Sequence, residues 1–298
     1  MQLSANGVRI EVDIRGPADG EPLLMIMGLG MQLVAWPEGL VDELVQRGFR
    51  VIRFDNRDVG LSESFDQLGL PNIPMAALMH TLHLPVKAPY QLADLARDAV
   101  GVLDALGIAR AHVCGASMGG MVAQHLGFAH AERLRSLTLM MTSSGSRSLP
   151  RESFKVRRVL MSRPRRGATP AQKLENILDH FAAVYGVIGS PGYPPQPGQL
   201  RERIAEGVRR AYRPQAVARQ MVAIAADNHR AERLDRITTP TLVLHGQDDA
   251  LIPVAAGHDL AKRIPGARLE IIPGWGHDLP EPLWPRLAAA IASIAGLG

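Results

Sequence analysis

The sequence predicts an α/β protein in which helices flank a mostly parallel central sheet and a helical segment is inserted after the first half of the chain. Two observations lead to this fold class. Strand-like and helix-like apolar patterns alternate through residues 1–142 and again through residues 231–298, which is typical of repeated βαβ units. Residues 143–230 hold helical patterns without a strand-like run. We therefore expect a core of residues 1–142 and 231–298 and a helical cap of residues 143–230.

The first part of the core contains five strand patterns and three helix patterns. The strand patterns are short apolar or alternating runs at residues 8–14, 23–27, 50–54, 111–114 and 134–141. The helix patterns place apolar residues three and four positions apart, at residues 37–47, 91–106 and 118–129. The Asn6-Gly7 pair predicts a hairpin turn before the first of these strands.

The second part of the core repeats the alternation after the inserted segment. Strand patterns lie at residues 241–245 and 268–272, and helix patterns lie at residues 254–263 and 282–295. One stretch of the first part, residues 65–89, is rich in Pro, Met and Leu and fits neither pattern. A stretch of this length forms either a lid or a short helix packed on the surface, and the sequence favours neither.

Composition narrows the class of protein. With 46% hydrophobic and 21% charged residues, a chain of 298 residues can bury a large core, which excludes disordered, collagen-like and coiled-coil proteins. The single cysteine, Cys114, excludes an intramolecular disulfide. Residues 1–16 alternate apolar and polar residues, so we expect no signal peptide, and no apolar run approaches the ~20 residues of a membrane helix. We expect a cytoplasmic protein, monomeric or homodimeric, with no membrane partner.

Charge is distributed unevenly along the chain. The inserted segment, residues 143–230, carries 16 Lys and Arg residues against 6 Asp and Glu residues, although the whole chain has a net charge of only +4. Solvated helix faces explain such an excess, and attraction of acidic substrates is the alternative. The densest basic stretch, residues 151–166, contains Phe154 as its one aromatic residue, whereas single-strand binders interleave stacking rings with basic residues. We therefore expect no nucleic-acid partner.

The pentapeptide Gly115-Ala116-Ser117-Met118-Gly119 is the strongest chemical signal in the sequence. It follows a strand pattern and precedes a helix pattern, which is the context of a nucleophile elbow. At such a turn the serine hydroxyl projects into the site, and the flanking glycines leave room for the close strand and helix. The start of the helix supplies backbone N–H donors where an oxyanion would form. Ser117 is therefore the candidate nucleophile.

A serine needs a base to remove its proton and a carboxylate to orient that base. His277 lies in the glycine-rich loop of residues 274–277, after the last strand pattern. Asp248 and Asp249 follow the preceding strand pattern. Parallel α/β sheets build their sites at the carboxyl ends of strands, which places both loops beside the elbow. His277 is the candidate base, and either aspartate could be the acid.

These motifs, in this order, resemble the α/β-hydrolase fold superfamily over essentially the whole chain. The family's G-x-x-D-x-x-x-P loop is met by Gly246, Asp249 and Pro253, so the resemblance implies that Asp249 is the acid, with Asp248 as the competitor that could instead cap the following turn. The same resemblance implies Ser117 as nucleophile and His277 as general base.

The segment Met27-Gly28-Leu29-Gly30 stands where the family often has a His-Gly pair before an oxyanion donor. Because the donor is a backbone N–H group, methionine in place of histidine leaves it available, and we expect Leu29 and Met118 to supply the two donors. The Met-Gly start, Trp36-Pro37 and the turn of residues 55–62 also resemble the aclacinomycin methylesterase-like branch of the family. We expect that turn to be a structural corner.

Several other residues near the elbow are candidates for substrate contact or for catalysis. We expect Gly28, Met141 and Trp275 to contact substrate, although Trp275 could equally be a packing residue. Cys114 precedes the elbow, but a cysteine at a strand end is more often a small buried apolar residue than a nucleophile. The sequence has neither paired metal-ligand spacing nor a dinucleotide-binding glycine motif. We expect no metal and no cofactor.

The sequence thus predicts a serine hydrolase that cleaves small to medium carboxylic esters through an acyl-enzyme. The same three residues would also serve hydrolysis of a lactone or thioester, or of a carbon–carbon bond. A ligand receptor that uses the hydrolase fold without catalysis is a third possibility, which the complete Ser, Asp and His set disfavours. The expected partner is a small-molecule ester.

Overall fold

A computed structural model describes residues 1–196 and 198–297. Eight strands form one sheet in the order β1-β2-β4-β3-β5-β6-β7-β8. The strands are β1 (Gln2–Ala5), β2 (Val8–Arg15), β3 (Glu21–Ile26), β4 (Phe49–Phe54), β5 (Ala111–Ala116), β6 (Leu134–Met140), β7 (Thr241–Gly246) and β8 (Arg268–Ile272). The first two strands pair antiparallel with each other, and β2 also pairs antiparallel with β4. Every pairing from β4 through β8 is parallel, which confirms the predicted fold class.

Helices cover both faces of the sheet. They are α1 (Glu38–Gln46), α2 (Ile73–Thr81), α3 (Leu92–Ala105), α4 (Met118–Ala129), α5 (Phe154–Leu160), α6 (Pro170–Ile188), α7 (Gln199–Arg210), α8 (Pro214–Ala226), α9 (Ala255–Arg263) and α10 (Trp284–Ala295). The apolar stripes of α1 and α10 join one core cluster, and those of α3, α4 and α9 join the other. Since β3 and β5 lie in the middle of the sheet, most or all of their residues are buried, and their carboxyl ends meet at one edge.

The chain between β6 and β7 holds α5 to α8 and, within its described residues, no strand. It has a small apolar cluster of its own, in which Val156 of α5 packs with Val184 and Ile188 of α6. Leu251, in the loop after β7, packs against this cluster. The inserted helices therefore rest on the edge of the sheet where the strands end.

Residues 65–89 contain a short 3₁₀ turn at Asp66–Leu68 and helix α2, which packs against α8 of the inserted segment. Of the two possibilities for residues 65–89, the structure shows the short helix packed on the surface. Asn72 caps α2 by accepting a hydrogen bond from Met75 N (3.0 Å). Within residues 1–196 and 198–297, each helix falls short of the length or the hydropathy that a membrane span requires.

The turn of residues 55–62 is a hydrogen-bonded corner, as expected. The Asp55 carboxylate accepts from Leu33 N (2.7 Å) through Oδ1 and from Leu61 N (2.8 Å) through Oδ2. Arg57 binds Asp98 of α3 with two hydrogen bonds of 2.5 and 2.6 Å. These contacts fix the turn against the segment that follows β3 and against α3, as expected for a structural corner.

A buried ion pair ties the inserted segment to this corner. Arg219 of α8 donates to Asp58 through Nε (2.5 Å) and Nη2 (2.8 Å), and both side chains are fully buried. Asp58 also accepts from Tyr90 Oη (3.0 Å) and from Phe65 N (3.1 Å). The carboxylate is therefore balanced by a charge that lies 161 residues away in the chain.

We expect Arg219→Met to lower the free energy of unfolding by about 3–5 kcal/mol, because the Asp58 carboxylate would be left buried without its cation. Urea unfolding followed by circular dichroism measures the change. Arg201→Met is the matched control, since Arg201 pairs with Glu175 and Asp179 at the exposed surface, where loss of a pair changes stability little. Equal unfolding midpoints for Arg219→Met and the wild type would contradict the expectation.

Candidate active site

Ser117 occupies the sharp turn between β5 and α4. Its backbone has φ 54° and ψ −120°, a region that residues other than glycine enter at a cost of about 1–3 kcal/mol. Residues at and just after the end of β6 hold this conformation: Ser117 N donates to Met140 O (3.0 Å), and Thr142 Oγ1 donates to Ser117 O (2.6 Å). The turn has the geometry of a nucleophile elbow.

The glycines around Ser117 are required by close backbone packing. A Cβ atom at Gly115 would lie 2.3 Å from Gly119 O, and one at Gly119 would lie 2.0 Å from Ile26 O. Both distances are far shorter than a van der Waals contact. The two glycines of the motif therefore let α4 start directly against β3 and β5, which is what presents the serine at the sheet edge.

His277 and Asp249 form a chain of hydrogen bonds with Ser117. His277 Nδ1 lies 2.7 Å from Asp249 Oδ2, and His277 Nε2 lies 3.0 Å from Ser117 Oγ. Because an ionised carboxylate can only accept, Nδ1 carries the proton and Nε2 is free to accept from the serine hydroxyl. The structure thus brings together the three side chains that the sequence selected.

The two candidate aspartates have different surroundings. The side chain of Asp249 is fully buried, and its second oxygen accepts from Leu251 N (2.9 Å) and Ile252 N (2.7 Å). Asp248 is exposed, and its carboxylate accepts from Gly274 N (2.8 Å). Asp249 therefore contacts the histidine ring, whereas Asp248 links two loops.

His245, at the end of β7, lies beneath the Asp249 loop and is fully buried. Its Nε2 hydrogen-bonds Ile252 O (2.8 Å), which makes Nε2 the protonated nitrogen. Its Nδ1 is buried and has no hydrogen-bond partner within residues 1–196 and 198–297. Burial lowers the pKa of His245 below its ordinary value of 6.5, and this effect exceeds the opposing influence of Ile252 O and Asp249.

This lowered pKa gives stability a defined pH dependence. At pH values between the pKa of His245 in the folded protein and 6.5, the unfolded chain binds more protons than the folded protein. The contribution of His245 to the free energy of unfolding is therefore fully present above pH 6.5 and is lost as the pH falls. We expect urea unfolding to show a smaller loss of stability between pH 7 and pH 5 in His245→Gln than in the wild type. The amide can still donate to Ile252 O but does not titrate. Equal losses in the two proteins would contradict this assignment.

The expected oxyanion donors belong to the residue that follows Ser117 and to the residue that follows Gly28. Met118 is the first residue of α4, so its N–H has no partner within the helix. Leu29 follows Gly28, where an added Cβ would lie 3.1 Å from Ser117 Cβ. Leu29 N donates to no acceptor in the part of the chain that the structure describes. Both N–H groups are therefore available near the serine.

The three expected substrate contacts have different environments. Gly28 lies directly against Ser117. Trp275 is fully buried, and its Nε1 donates to Asp278 O (2.8 Å), so its contacts are those of a packing residue and not of a pocket wall. Met141 is 4% exposed and belongs to the same apolar cluster.

Cys114 is fully buried in β5, where burial raises the pKa of its thiol to about 12. A thiol in this state is a poor nucleophile at neutral pH, which supports the packing interpretation. In residues 1–196 and 198–297 no group of three or more His, Cys, Asp or Glu side chains could hold a metal ion.

Three residues that contact the site are not among those that the sequence selects. His245, Ser190 and Gln220 contact the loops that bear Asp249, His277 and Leu29, respectively. Ser190 and Gln220 belong to the inserted segment, far along the chain from the loops that they contact. No local motif could have selected these two residues.

Comparison with known proteins agrees with this architecture. A family model described as the alpha/beta hydrolase fold matches residues 21–281. The enol-lactonase from Burkholderia xenovorans LB400 superposes with a TM-score of 0.71 at 23% identity, covering 100% of this chain and 99% of that structure. At this identity the likeness concerns the fold.

Two relatives are more similar in sequence. Rhodomycin D methylesterase DauP of Streptomyces sp. (strain C5) is 31% identical over 301 residues, covering 94% of this chain and 92% of the relative. The putative carbamate hydrolase RutD of Variovorax paradoxus (strain S110) is 30% identical over 284 residues, covering 90% of this chain and 89% of the relative. The chain is therefore a hydrolase that belongs to the α/β-hydrolase fold family, in its methylesterase-like branch.

Proposed function

We propose that this protein is a serine hydrolase of carboxylic esters. The observation that carries the proposal is the chain of two hydrogen bonds from Asp249 through His277 to Ser117 Oγ, on a strained turn at the carboxyl edge of a parallel sheet. Such a chain turns an alcohol into a nucleophile at neutral pH. The methylesterase relative supports ester hydrolysis as the reaction.

Acylation begins when Ser117 Oγ attacks the ester carbonyl carbon. His277 Nε2 accepts the hydroxyl proton as the new carbon–oxygen bond forms, and Asp249 stabilises the imidazolium. The carbonyl oxygen becomes an oxyanion, which the N–H groups of Leu29 and Met118 would hold. Removal of one such donor typically reduces kcat by about 10²–10³-fold.

Collapse of the tetrahedral intermediate breaks the bond to the alcohol oxygen. His277 gives its proton to that oxygen, the alcohol leaves, and the acyl group stays on Ser117. Water then attacks the acyl carbon while His277 takes one of its protons, and the carboxylic acid leaves as the proton returns to Ser117 Oγ. Each step uses the same two donors, and His277 acts in turn as base and as acid.

In this proposal the inserted segment, residues 143–230, is the cap that selects the substrate. Its helices rest on the strand edge that carries Ser117, and Val156, Val184 and Ile188 pack it beside the Asp249 loop. The expected substrate is a small-molecule ester that enters between this segment and the core.

Carbamate hydrolysis is a second candidate, because a relative that is 30% identical over 90% of this chain is a putative carbamate hydrolase. The attack on the carbonyl carbon would be the same, and the leaving group and the acyl part would differ. The hydrogen bonds around Ser117 serve both reactions equally.

A substrate panel distinguishes these reactions. We expect methyl and p-nitrophenyl esters of increasing acyl length to be hydrolysed, with a burst of p-nitrophenol that matches acyl-enzyme formation. An N-alkyl carbamate, a lactone and a β-diketone are the comparison substrates. Faster turnover of any of these than of every ester would overturn the ester proposal while leaving Ser117 as the nucleophile.

A further inference from the structure

The loop that carries His277, residues 273–278, is held by the inserted segment. His277 N donates to Ile188 O (2.7 Å), at the end of α6. Gly192 N donates to Gly274 O (2.9 Å) a few residues further along. The backbone of this histidine loop therefore hydrogen-bonds to the inserted segment on both sides of Trp275.

Ser190 connects the two neighbours of His277 through one hydroxyl group. Its Oγ accepts from Gly276 N (2.9 Å) and donates to Asp278 Oδ1. Ser190 is 4% exposed, so water cannot readily replace either hydrogen bond. Because Gly276 and Asp278 flank His277, these bonds fix the direction in which the imidazole leaves the backbone.

A second set of contacts holds the loop that carries Leu29, residues 27–32. Gln220 of α8 is fully buried, and its Oε1 accepts from Gly30 N (2.8 Å). An added Cβ at Gly30 would lie 2.6 Å from Val217 Cγ2, so α8 packs directly on this oxyanion loop. The peptide N–H that precedes Gly30 is that of Leu29, the expected oxyanion donor.

Helix α7 holds the same loop from its other end. Gln32 Nε2 donates to Gly207 O (2.6 Å) and Ala211 O (2.7 Å), and Arg210 Nη1 donates to Gln32 Oε1 (2.7 Å). Both ends of the oxyanion loop are also hydrogen-bonded to the core. Asn56 Nδ2 donates to Met27 O (3.0 Å), and Leu33 N, directly after the loop, donates to Asp55 Oδ1 (2.7 Å).

We propose that Ser190 and Gln220 are positioning residues, through which the inserted segment sets the geometry of His277 and Leu29. This inference rests on the proposed function. The segment is then a structural part of the catalytic apparatus as well as a cover for it. Hydrolysis depends on the distance from His277 Nε2 to Ser117 Oγ and on the aim of Leu29 N–H, and a displacement of about 1 Å reduces turnover about 10²-fold.

Kinetics of Ser190→Ala and Gln220→Met test the proposal. We expect kcat for a p-nitrophenyl ester to fall about 10- to 100-fold in each, with KM changed less than threefold, in proteins that remain folded at the assay temperature. Each variant leaves a buried hydrogen-bonding group without its partner, so a lower unfolding midpoint is also expected. Ser190→Thr keeps the hydroxyl group that accepts from Gly276 N and donates to Asp278, and it should recover most of kcat. Matched controls are Ser162→Ala and Gln199→Met, exposed positions of the same segment, which should retain wild-type kcat.

A proton NMR measurement separates positioning from general loosening, and it needs no activity. The downfield resonance of the His277 Nδ1 proton should shift in Ser190→Ala and stay unchanged in Gln220→Met, because Gln220 acts on the other loop. Wild-type kcat in both variants, or an unshifted resonance in Ser190→Ala, would overturn the proposal. If the wild type itself hydrolyses no ester and Ser117 is not labelled by a phosphonate, the proposed function fails instead.

Discussion

Replacing Ser117 with alanine is expected to lower kcat/KM for ester substrates by about 10⁴- to 10⁶-fold, the range seen when the nucleophile of a serine triad is removed. The physical reason is that no other side chain lies within hydrogen-bonding distance of His277 Nε2 to take over as nucleophile within the described residues. Steady-state hydrolysis of a methyl ester measures the loss. The remaining rate should come from binding and oxyanion stabilisation.

Cys114→Ala is the matched control for this substitution. Cys114 lies three residues before Ser117, but its buried thiol, with a pKa raised to about 12, supplies little thiolate. We expect the alanine variant to keep kcat within a few-fold of the wild type. Substantial ester hydrolysis by Ser117→Ala, or its loss in Cys114→Ala with folding intact, would contradict the assignment of the nucleophile.

Asp249→Asn is expected to lower kcat by about 10³- to 10⁴-fold while the protein stays folded. An amide in place of the carboxylate can present its NH₂ group to His277 Nδ1, which would move the ring proton to Nε2 and remove the acceptor for the serine proton. The amide also carries no charge to stabilise the imidazolium. The pH profile of kcat and the rate of phosphonate labelling both report this loss.

Asp248→Asn is the matched control for Asp249→Asn, because it removes the charge of the neighbouring carboxylate in the same loop. Asp248 accepts only from Gly274 N among the described residues, and an amide oxygen can accept the same hydrogen bond. We expect its kcat to stay within about tenfold of the wild type. A larger loss in Asp248→Asn than in Asp249→Asn would reverse the assignment of the acid.

The strand-to-helix turn could be predicted from the sequence because its determinants are local. Gly115 and Gly119 lie within two residues of Ser117, so the motif is recognised locally, although the backbone that closely approaches Gly119 is that of Ile26 in β3. His277 and Asp249 could be located because parallel strands end at one edge of the sheet, so loops distant in sequence converge. The structure adds the choice of Asp249 over Asp248 as the neighbour of the ring.

The contacts that hold the site together could not be predicted in this way. Ser190 and Asp278 are 88 residues apart, and Gln220 and Gly30 are 190 apart. The pairing of Arg219 with Asp58 likewise depends on how α8 lies against the core. Such contacts follow from tertiary packing, which has no periodic signature in the sequence. The burial of Trp275 could not be predicted either, because a glycine-rich loop can direct an indole side chain into the core or out to solvent.

The helix within residues 65–89 could not be predicted for a different reason. Helix α2 is apolar on all sides, so it shows no helical stripe, and Leu78 and Leu82 are about half exposed. Its helical form is visible in the Asn72 cap and in its packing on α8. A sequence test based on amphipathic periodicity therefore cannot detect it.

Labelling with a fluorophosphonate, followed by peptide mass mapping, tests the central claim most directly. The reagent forms a stable bond to a serine only when a base activates the hydroxyl and an oxyanion site holds the phosphoryl oxygen. We predict one label per chain, on the peptide that contains Ser117, with loss of ester hydrolysis in proportion to labelling. A label on another residue, or full ester hydrolysis with Ser117 unlabelled, would contradict the account.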